Sequence, residues 1–141
     1  MRKRDFAFIF LIVLVYLAAF SGILNLATVD GVSMYPVFQN GALTFYSKDS
    51  LASTGNVVIY YSPQYGTYII HRVIRVYDLG DERAYVTQGV DKITNPLPDT
   101  TSGYEPGYGI PQNYVQGVVI QFDGVMISIP YLGYLSLIFR L

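Results

Sequence analysis

The fold is decided by the stretch TYIIHRVIRVY, which occupies residues 67–77. β-Branched and aromatic side chains dominate it, and these residue types favour strands over helices. We therefore predict one long strand with His71, the only histidine of the chain, near its middle. Strict alternation would place residues 69, 71, 73 and 75 on one face and residues 70, 72, 74 and 76 on the other. Neither face is uniformly polar, so we expect a strand that is covered on both sides or lies near the membrane.

The segments around this strand also favour β-structure. Turn signals at Asn40-Gly41 and at residues 54–56 and 78–82 bound predicted strands over 42–47, 57–61 and 84–88. Residues 115–122 and 125–129 predict a hairpin about Asp123-Gly124. Between these strands, residues 89–113 are rich in proline and glycine and predict a loop; a loop this long in a compact domain is usually functional. The pattern indicates a mainly β domain.

The N-terminal segment is apolar and follows a cationic cluster. Arg2-Lys3-Arg4 precedes the apolar run 6–27, which as a helix would extend for roughly 33 Å at ~1.5 Å per residue. Cationic flanks stay cytoplasmic, so residues 1–28 predict a single-pass membrane anchor and residues 29–141 an extracytoplasmic β-rich domain. The alternative is a cleaved secretory signal with a site near Ala19-Phe20-Ser21, but the run is long for one. The apolar tail, residues 130–141, is expected to lie near the membrane.

Composition excludes several classes of function. A chain of 141 residues allows one compact domain plus an anchor. The formal net charge of −1 provides no basic surface for nucleic acid. The absence of cysteine excludes disulfides, thiolate catalysis and cysteine-ligated zinc. A single histidine argues against a catalytic metal site, although carboxylate-only ligation stays open. We expect no cofactor.

Three short stretches contain the residue types that acyl transfer needs. Ser33 lies in Gly31-Val32-Ser33-Met34-Tyr35-Pro36, directly after the apolar segment. His71 follows on the long strand, and Asp91 and Asp99 lie in the proline-rich loop after Thr87-Gln88-Gly89. A serine becomes a nucleophile when a neighbouring base takes its proton. Each residue taken alone also fits a plainer role, in a turn or in the core.

Taken in order, these stretches resemble type I signal peptidases, specifically the archaeal and endoplasmic-reticulum branch. That branch carries Ser-Met-x-Pro at the nucleophile, a His-Arg pair on a strand, and a Gly-Asp-Asn-like loop that ends in a second Asp. The bacterial branch has lysine in place of histidine, so His71 favours the former. Gly55-Asn56-Val57-Val58 is similar to the family's Gly-Asp-Val-Val. The resemblance implies a small signal-peptidase-like β domain preceded by one transmembrane helix.

The resemblance also implies roles for individual residues. Ser33 would be the nucleophile, His71 the general base and Asp99 the carboxylate that orients the imidazole. Asp91 would be a supporting acid that braces the loop, and Arg72 is a candidate partner for it. The sequence departs from the family in two places. Gly89-Val90-Asp91 interrupts the Gly-Asp pair, and Gly31-Val32 replaces the Ser-Gly whose hydroxyl can complete the oxyanion hole.

The activity implied is that of a membrane-bound serine endopeptidase that removes signal peptides from secretory preproteins after small residues. An extended substrate segment would add beside an exposed strand edge, with small pockets for alternate side chains. Val32, Met34 and Pro36 are candidate pocket walls because they flank Ser33. The expected partners are these preproteins and membrane lipid.

Two other functions stay open at this point. An apolar N-terminal helix followed by a tyrosine-rich β domain also describes a pilin-like structural subunit, although Arg4-Asp5-Phe6 stands where such a subunit has a processing glycine. A catalytically inactive relative would serve as a membrane-anchored β module. The altered oxyanion-hole position keeps that alternative open.

Overall fold

A computed structural model describes residues 2–21, 25–48 and 50–139 of the chain. It contains an N-terminal helix, a β domain with one helical turn inserted, and a short helix near the C-terminus. The helices are α1 (Lys3–Phe20), α2 (Asp99–Ser102) and α3 (Gly133–Phe139), with a 3-10 turn at Gln112–Tyr114. The strands are β1 (Asn25–Thr28), β2 (Leu43–Ser47), β3 (Val57–Ser62), β4 (Thr67–Asp78), β5 (Arg83–Gln88), β6 (Ile110–Pro111), β7 (Val115–Val119), β8 (Gln121–Phe122), β9 (Val125–Met126) and β10 (Ser128–Ile129).

One antiparallel sheet forms the body of the domain. Its strand order is β1-β2-β7-β3-β4-β5-β6, and β10 also pairs with β2. β8 and β9 make a separate two-stranded ribbon, whose Asp123-Gly124 turn has positive φ at both residues, 53° and 77°. Such turns match the twist of the strands that they join. The mainly β prediction is confirmed, and the predicted hairpin is present with its strands interrupted at Ile120 and Ile127.

Strand β4 connects the two halves of the sheet. Its first half pairs with β3, from Val57 opposite Arg72 to Ser62 opposite Thr67, and its second half pairs with β5. The register with β5 shifts between Val73 and Arg75. A bulge of this kind reverses the alternation of side chains beyond it. Placing Arg75 on the His71 face was therefore wrong: Val76 packs against the core, and Arg75 is exposed.

The core lies on both faces of the sheet, because β3 is buried on both sides. Val57 and Ile59 pack in one cluster, while Val58 and Tyr60 pack in the other. Neighbours in a strand point to opposite faces, so an uninterrupted apolar run fits a strand covered on both sides. The first cluster also contains Val29, Met34, Phe38, Ala42 and Val119, and the second contains Ala52, Val73, Tyr85, Ile110 and Val118.

The N-terminal helix is shorter than predicted. It ends at Phe20, and residues 25–28, which were expected to continue it, form β1 on the edge of the sheet. Their backbone groups pair with β2, from Asn25 opposite Tyr46 to Thr28 opposite Leu43, and this tertiary pairing overrides the apolar pattern. No helix within the described residues combines the length and the apolar character needed to cross a membrane.

The proline-rich segment 89–113 is more structured than the loop prediction allowed. It contains α2, β6 and the 3-10 turn, and the first residue of α2 is Asp99. Tyr16 of α1 donates a hydrogen bond to the Leu132 carbonyl over 2.9 Å, which ties the N-terminal helix to the segment just before α3.

Truncating Met34 should destabilise the domain, because its side chain is fully buried among Val29, Phe38 and Val57. We expect Met34→Ala to lower the free energy of unfolding by about 2–5 kcal/mol, the usual cost of such a cavity. Denaturant titration followed by circular dichroism measures this. Val32→Ala is the matched control, since Val32 is 53% exposed, and its effect should stay within about 0.5 kcal/mol. Equal effects of the two substitutions would contradict the assignment of Met34 to the core.

Candidate active site

The centre of the site is a contact between His71 and Asp99. His71 lies in β4 opposite Val58 and is 3% exposed, while Asp99 is 1% exposed. The imidazole Nδ1 lies 2.6 Å from Asp99 Oδ2. Pro98, extended at ψ 153°, delivers Asp99 to this position at the start of α2. Because Nδ1 is engaged by the carboxylate, Nε2 is the ring nitrogen left to act on another group.

Asp99 concentrates its hydrogen bonds on one oxygen. Besides His71, Oδ2 accepts from the Tyr60 hydroxyl at 2.9 Å and from the Thr87 hydroxyl at 2.5 Å. Oδ1 is buried and has no hydrogen-bond partner among the described residues. Burial of a carboxylate is costly unless donors compensate it. Strands β3, β4 and β5 each supply one donor, so the site depends on the register of all three.

Tyr60 is fixed as a donor by its surroundings. Burial raises the pKa of its phenol well above the ordinary value, and the negative charge of Asp99 adds to that effect. The hydroxyl therefore stays protonated at any pH at which the protein would work.

A second buried acid, Glu105, lies behind the first. It is 2% exposed, its Oε1 accepts the Thr87 backbone N–H at 3.0 Å, and its Oε2 lies 3.3 Å from the Thr87 hydroxyl oxygen. Burial raises the pKa of Glu105 to about 8; the Thr87 N–H opposes this shift, and the charge of Asp99 adds to it. At neutral pH the carboxyl is therefore mostly protonated.

The loop that carries Ser33 is held through its backbone. The Ser33 carbonyl accepts the Asp91 N–H at 2.9 Å and the Asn95 side-chain amide at 3.5 Å. Asn95 packs so tightly over Gly89 that a Cβ there would come within 2.4 Å of it. The segment after β5 thus connects the serine loop to the strand that carries Thr87. On the other side, Asn40 accepts the Gly31 N–H at 2.8 Å.

Ser33 and His71 line the same cavity, which has a volume of about 610 Å³. Asn95 and Tyr104 also line it, and its walls come from β1 and from residues 67–70 of β4. The Tyr104 ring meets the imidazole edge-on, with ring centroids 6.0 Å apart. No hydrogen bond joins the Ser33 hydroxyl to His71 in the described part of the chain. Catalytic hydrogen bonds are often loose without substrate and tighten in the complex.

Asp91 stays within its own loop. Its carboxylate accepts the Thr94 hydroxyl at 2.8 Å and the Ile93 N–H at 3.1 Å, and these bonds, the first above all, lower its pKa. It forms no ion pair with Arg72; the ion pairs among the described residues are His71 with Asp99 and Arg83 with Asp78. Asp91 therefore contacts the serine loop through its backbone, and the bracing contact expected through Arg72 is absent.

The three residues expected to form pocket walls lie elsewhere. Val32, Met34 and Pro36 do not line the cavity. Met34 points into the core, while Val32 and Pro36 are exposed. Being next to Ser33 in sequence does not place a side chain in the cavity, because the loop turns immediately: the Tyr35 N–H bonds to the Val32 carbonyl at 3.0 Å.

Sequence reasoning missed the residues that surround the His71–Asp99 contact. Tyr60, Tyr104 and Glu105 carry no motif, and Thr87 was noted only as part of Thr87-Gln88-Gly89. Pairing of β3, β4 and β5 brings Tyr60 and Thr87 to His71, and the chain after α2 adds Tyr104 and Glu105. No group of three or more His, Asp or Glu side chains within residues 2–21, 25–48 and 50–139 is placed to hold a metal ion.

Comparison with known proteins finds fungal relatives. The signal peptidase complex catalytic subunit SEC11 of Fusarium vanettenii is 33% identical over 109 residues, which cover 75% of this chain and 58% of that protein. The protein of the same name from Clavispora lusitaniae is 31% identical over 107 residues, or 75% of this chain and 60% of that protein. The resemblance to type I signal peptidases is confirmed.

The chain spans 58–60% of the length of these signal peptidase subunits. No family model matches it. The relatives are fungal, so the archaeal type remains a prediction.

Proposed function

We propose that this chain is a membrane-associated serine endopeptidase that removes signal peptides from secretory preproteins after small residues. Ser33 is the nucleophile, His71 the general base and Asp99 the orienting carboxylate. The observation that carries the proposal is the 2.6 Å contact between His71 Nδ1 and Asp99 Oδ2, beside a cavity that His71 shares with Ser33. The names of the fungal relatives support the same reaction.

Acylation begins when the Ser33 hydroxyl oxygen attacks the scissile carbonyl carbon. His71 Nε2 takes the hydroxyl proton, and the imidazolium that forms is stabilised by Asp99 at Nδ1. The tetrahedral intermediate then collapses: its C–N bond breaks, and Nε2 delivers the proton to the leaving amine. Water, activated by the same nitrogen, hydrolyses the acyl-enzyme and releases Ser33.

The developing oxyanion needs donors close to Ser33. The Ser33 N–H is one candidate. The Gly31 N–H is occupied by Asn40 and is not the second donor. The preceding Gly31-Val32 provides no side-chain hydroxyl either. A second donor must therefore come from another residue of the cleft, either as it stands or after substrate binding rearranges the site.

The substrate would bind in an extended form along β4. Residues 67–71 pair with β3 on one side, while β5 pairs only from Arg72 onward, so the other edge of this half-strand has no strand partner within the described residues. This free edge borders the cavity at residues 67–70. A signal peptide can add there as a strand, with every second side chain directed toward the cleft.

Membrane association is assigned to α1. Its large apolar side chains are exposed, including Phe6, Phe10, Leu17 and Phe20. A soluble surface rarely exposes so many large apolar groups together. Through these side chains α1 associates with the membrane and holds the catalytic domain near the emerging substrate, whereas the single-pass topology with Arg2-Lys3-Arg4 on the cytoplasmic side stays a prediction from the sequence.

Removal of the nucleophile or of the base should abolish cleavage. We expect Ser33→Ala and His71→Ala each to lose at least about 10³-fold in kcat on a signal-bearing preprotein in liposomes, as removal of a member of such a triad does. Folding should be retained in Ser33→Ala, and circular dichroism checks the folded fraction of both variants. Ser102→Ala, at an exposed position on α2, is the control. Wild-type cleavage by Ser33→Ala would refute the nucleophile. A wild-type chain that binds the preprotein but does not cut it would favour the inactive binding module.

Substitution of Asp99 should lower turnover far more than substitution of Asp91. Asp99→Asn replaces the charge that holds Nδ1–H, and this change costs on the order of 10⁴ in turnover in serine proteases. Asp91→Asn leaves the backbone bond to Ser33 in place and should lower kcat by less than about tenfold, with some loss of stability through Thr94. Kinetics of both variants at equal folded concentration give the ranking. The opposite ranking would make Asp91 the third member.

A further inference from the structure

Glu105 is a buried acid for which the proposed mechanism has no use. We propose that Glu105, in its protonated form, is a positioning residue that fixes the Thr87 hydroxyl as a donor to Asp99. This inference rests on the proposed function, since Asp99 matters there as the partner of His71. Three observations support it: the count of hydrogens between the groups, the burial of both acids, and the charges around them.

The count of hydrogens places the proton. The Thr87 hydroxyl has one hydrogen, and its 2.5 Å contact with Asp99 Oδ2 uses it. Its 3.3 Å contact with Glu105 Oε2 is therefore satisfied when Glu105 is the donor. Glu105 Oε1 meanwhile accepts the Thr87 N–H at 3.0 Å. A protonated Glu105 thus has a partner for each oxygen, and every bond in the chain Glu105–Thr87–Asp99–His71 has a donor and an acceptor.

The surrounding charges favour the same state. Asp99 faces Glu105 across the Thr87 hydroxyl, and Tyr60 of β3 is a neutral donor on the far side of Asp99. His71 of β4 contacts Asp99, and neither ion pair among the described residues involves Glu105. An ionised Glu105 would therefore be a second buried anion without a cation. Burial, together with the charge of Asp99, raises the pKa of Glu105 to about 8, which agrees with a protonated carboxyl at neutral pH.

Ionisation of Glu105 should disturb the base. An anionic Glu105 competes with Asp99 for the single Thr87 hydrogen, so Asp99 loses one of its three donors. A second negative charge would also act on His71 through the same low-dielectric region. Activity should then fall on the alkaline side, as Glu105 loses its proton.

The test uses an isostere of the protonated acid. Glu105→Gln keeps an acceptor for the Thr87 N–H and a donor for the Thr87 hydroxyl but cannot ionise. We expect its kcat at neutral pH to stay within about threefold of wild type and its alkaline decline to vanish, whereas Glu105→Ala should lose on the order of tenfold in kcat with little change in KM. Glu82→Gln, at an exposed acid between β4 and β5, is the matched control and should keep the wild-type profile.

A spectroscopic measurement makes the test independent of activity. Because His71 is the only histidine, its ring proton NMR signal can be followed without ambiguity. In the full chain we expect this signal to show an inflection near pH 8, present in Glu82→Gln and absent in Glu105→Gln. An inflection or alkaline decline that persists in Glu105→Gln would overturn the proposal, even if Glu105→Ala fails to fold. Failure of the proposed function would appear instead as cleavage by Ser33→Ala, and the NMR result would still decide the role of Glu105.

Discussion

The structure depends on keeping one buried carboxylate, that of Asp99, in place beside His71. A carboxylate at 1% exposure is stable only when donors replace the water it has lost. Tyr60, His71 and Thr87 provide them from three neighbouring strands. A shift of one residue in any of these strands would turn its donor to the opposite face. The sheet register and the chemistry of the site are therefore a single constraint.

The loop that carries Ser33 differs from the Asp99 site, because backbone groups rather than buried side chains hold it in place. The Asp91 N–H bonds to the Ser33 carbonyl, and the Asp91 carboxylate closes its own turn. Gly89-Val90-Asp91 stands where type I signal peptidases have a tighter Gly-Asp, and Ser33 nevertheless lines the cavity that it shares with His71.

The sequence predicts the strands well and their surroundings poorly. β-Branched runs and turn signals locate β3, β4 and β5, and His71 lies on β4 as predicted. The predicted C-terminal end of α1 was wrong, because residues 25–28 are apolar enough for a helix but pair with β2 as a strand. Met34 was assigned to a pocket and lies in the core. Glu105 could not be predicted at all: its role depends on contacts with Thr87, 18 residues away along the chain. A local sequence pattern indicates which secondary structure a segment favours. Contacts between residues far apart in the chain become visible only once the sheet has formed.

Nitrogen-15 NMR of His71 shows directly which ring nitrogen carries the proton in the neutral imidazole. We expect the proton on Nδ1, because Asp99 Oδ2 accepts it at 2.6 Å, and a bare Nε2 that is able to act as the base. Asp99→Asn should disturb this tautomer, and Asp91→Asn should leave it unchanged. A neutral His71 protonated at Nε2 in the wild-type chain would contradict the account, because that nitrogen could not accept the proton of Ser33.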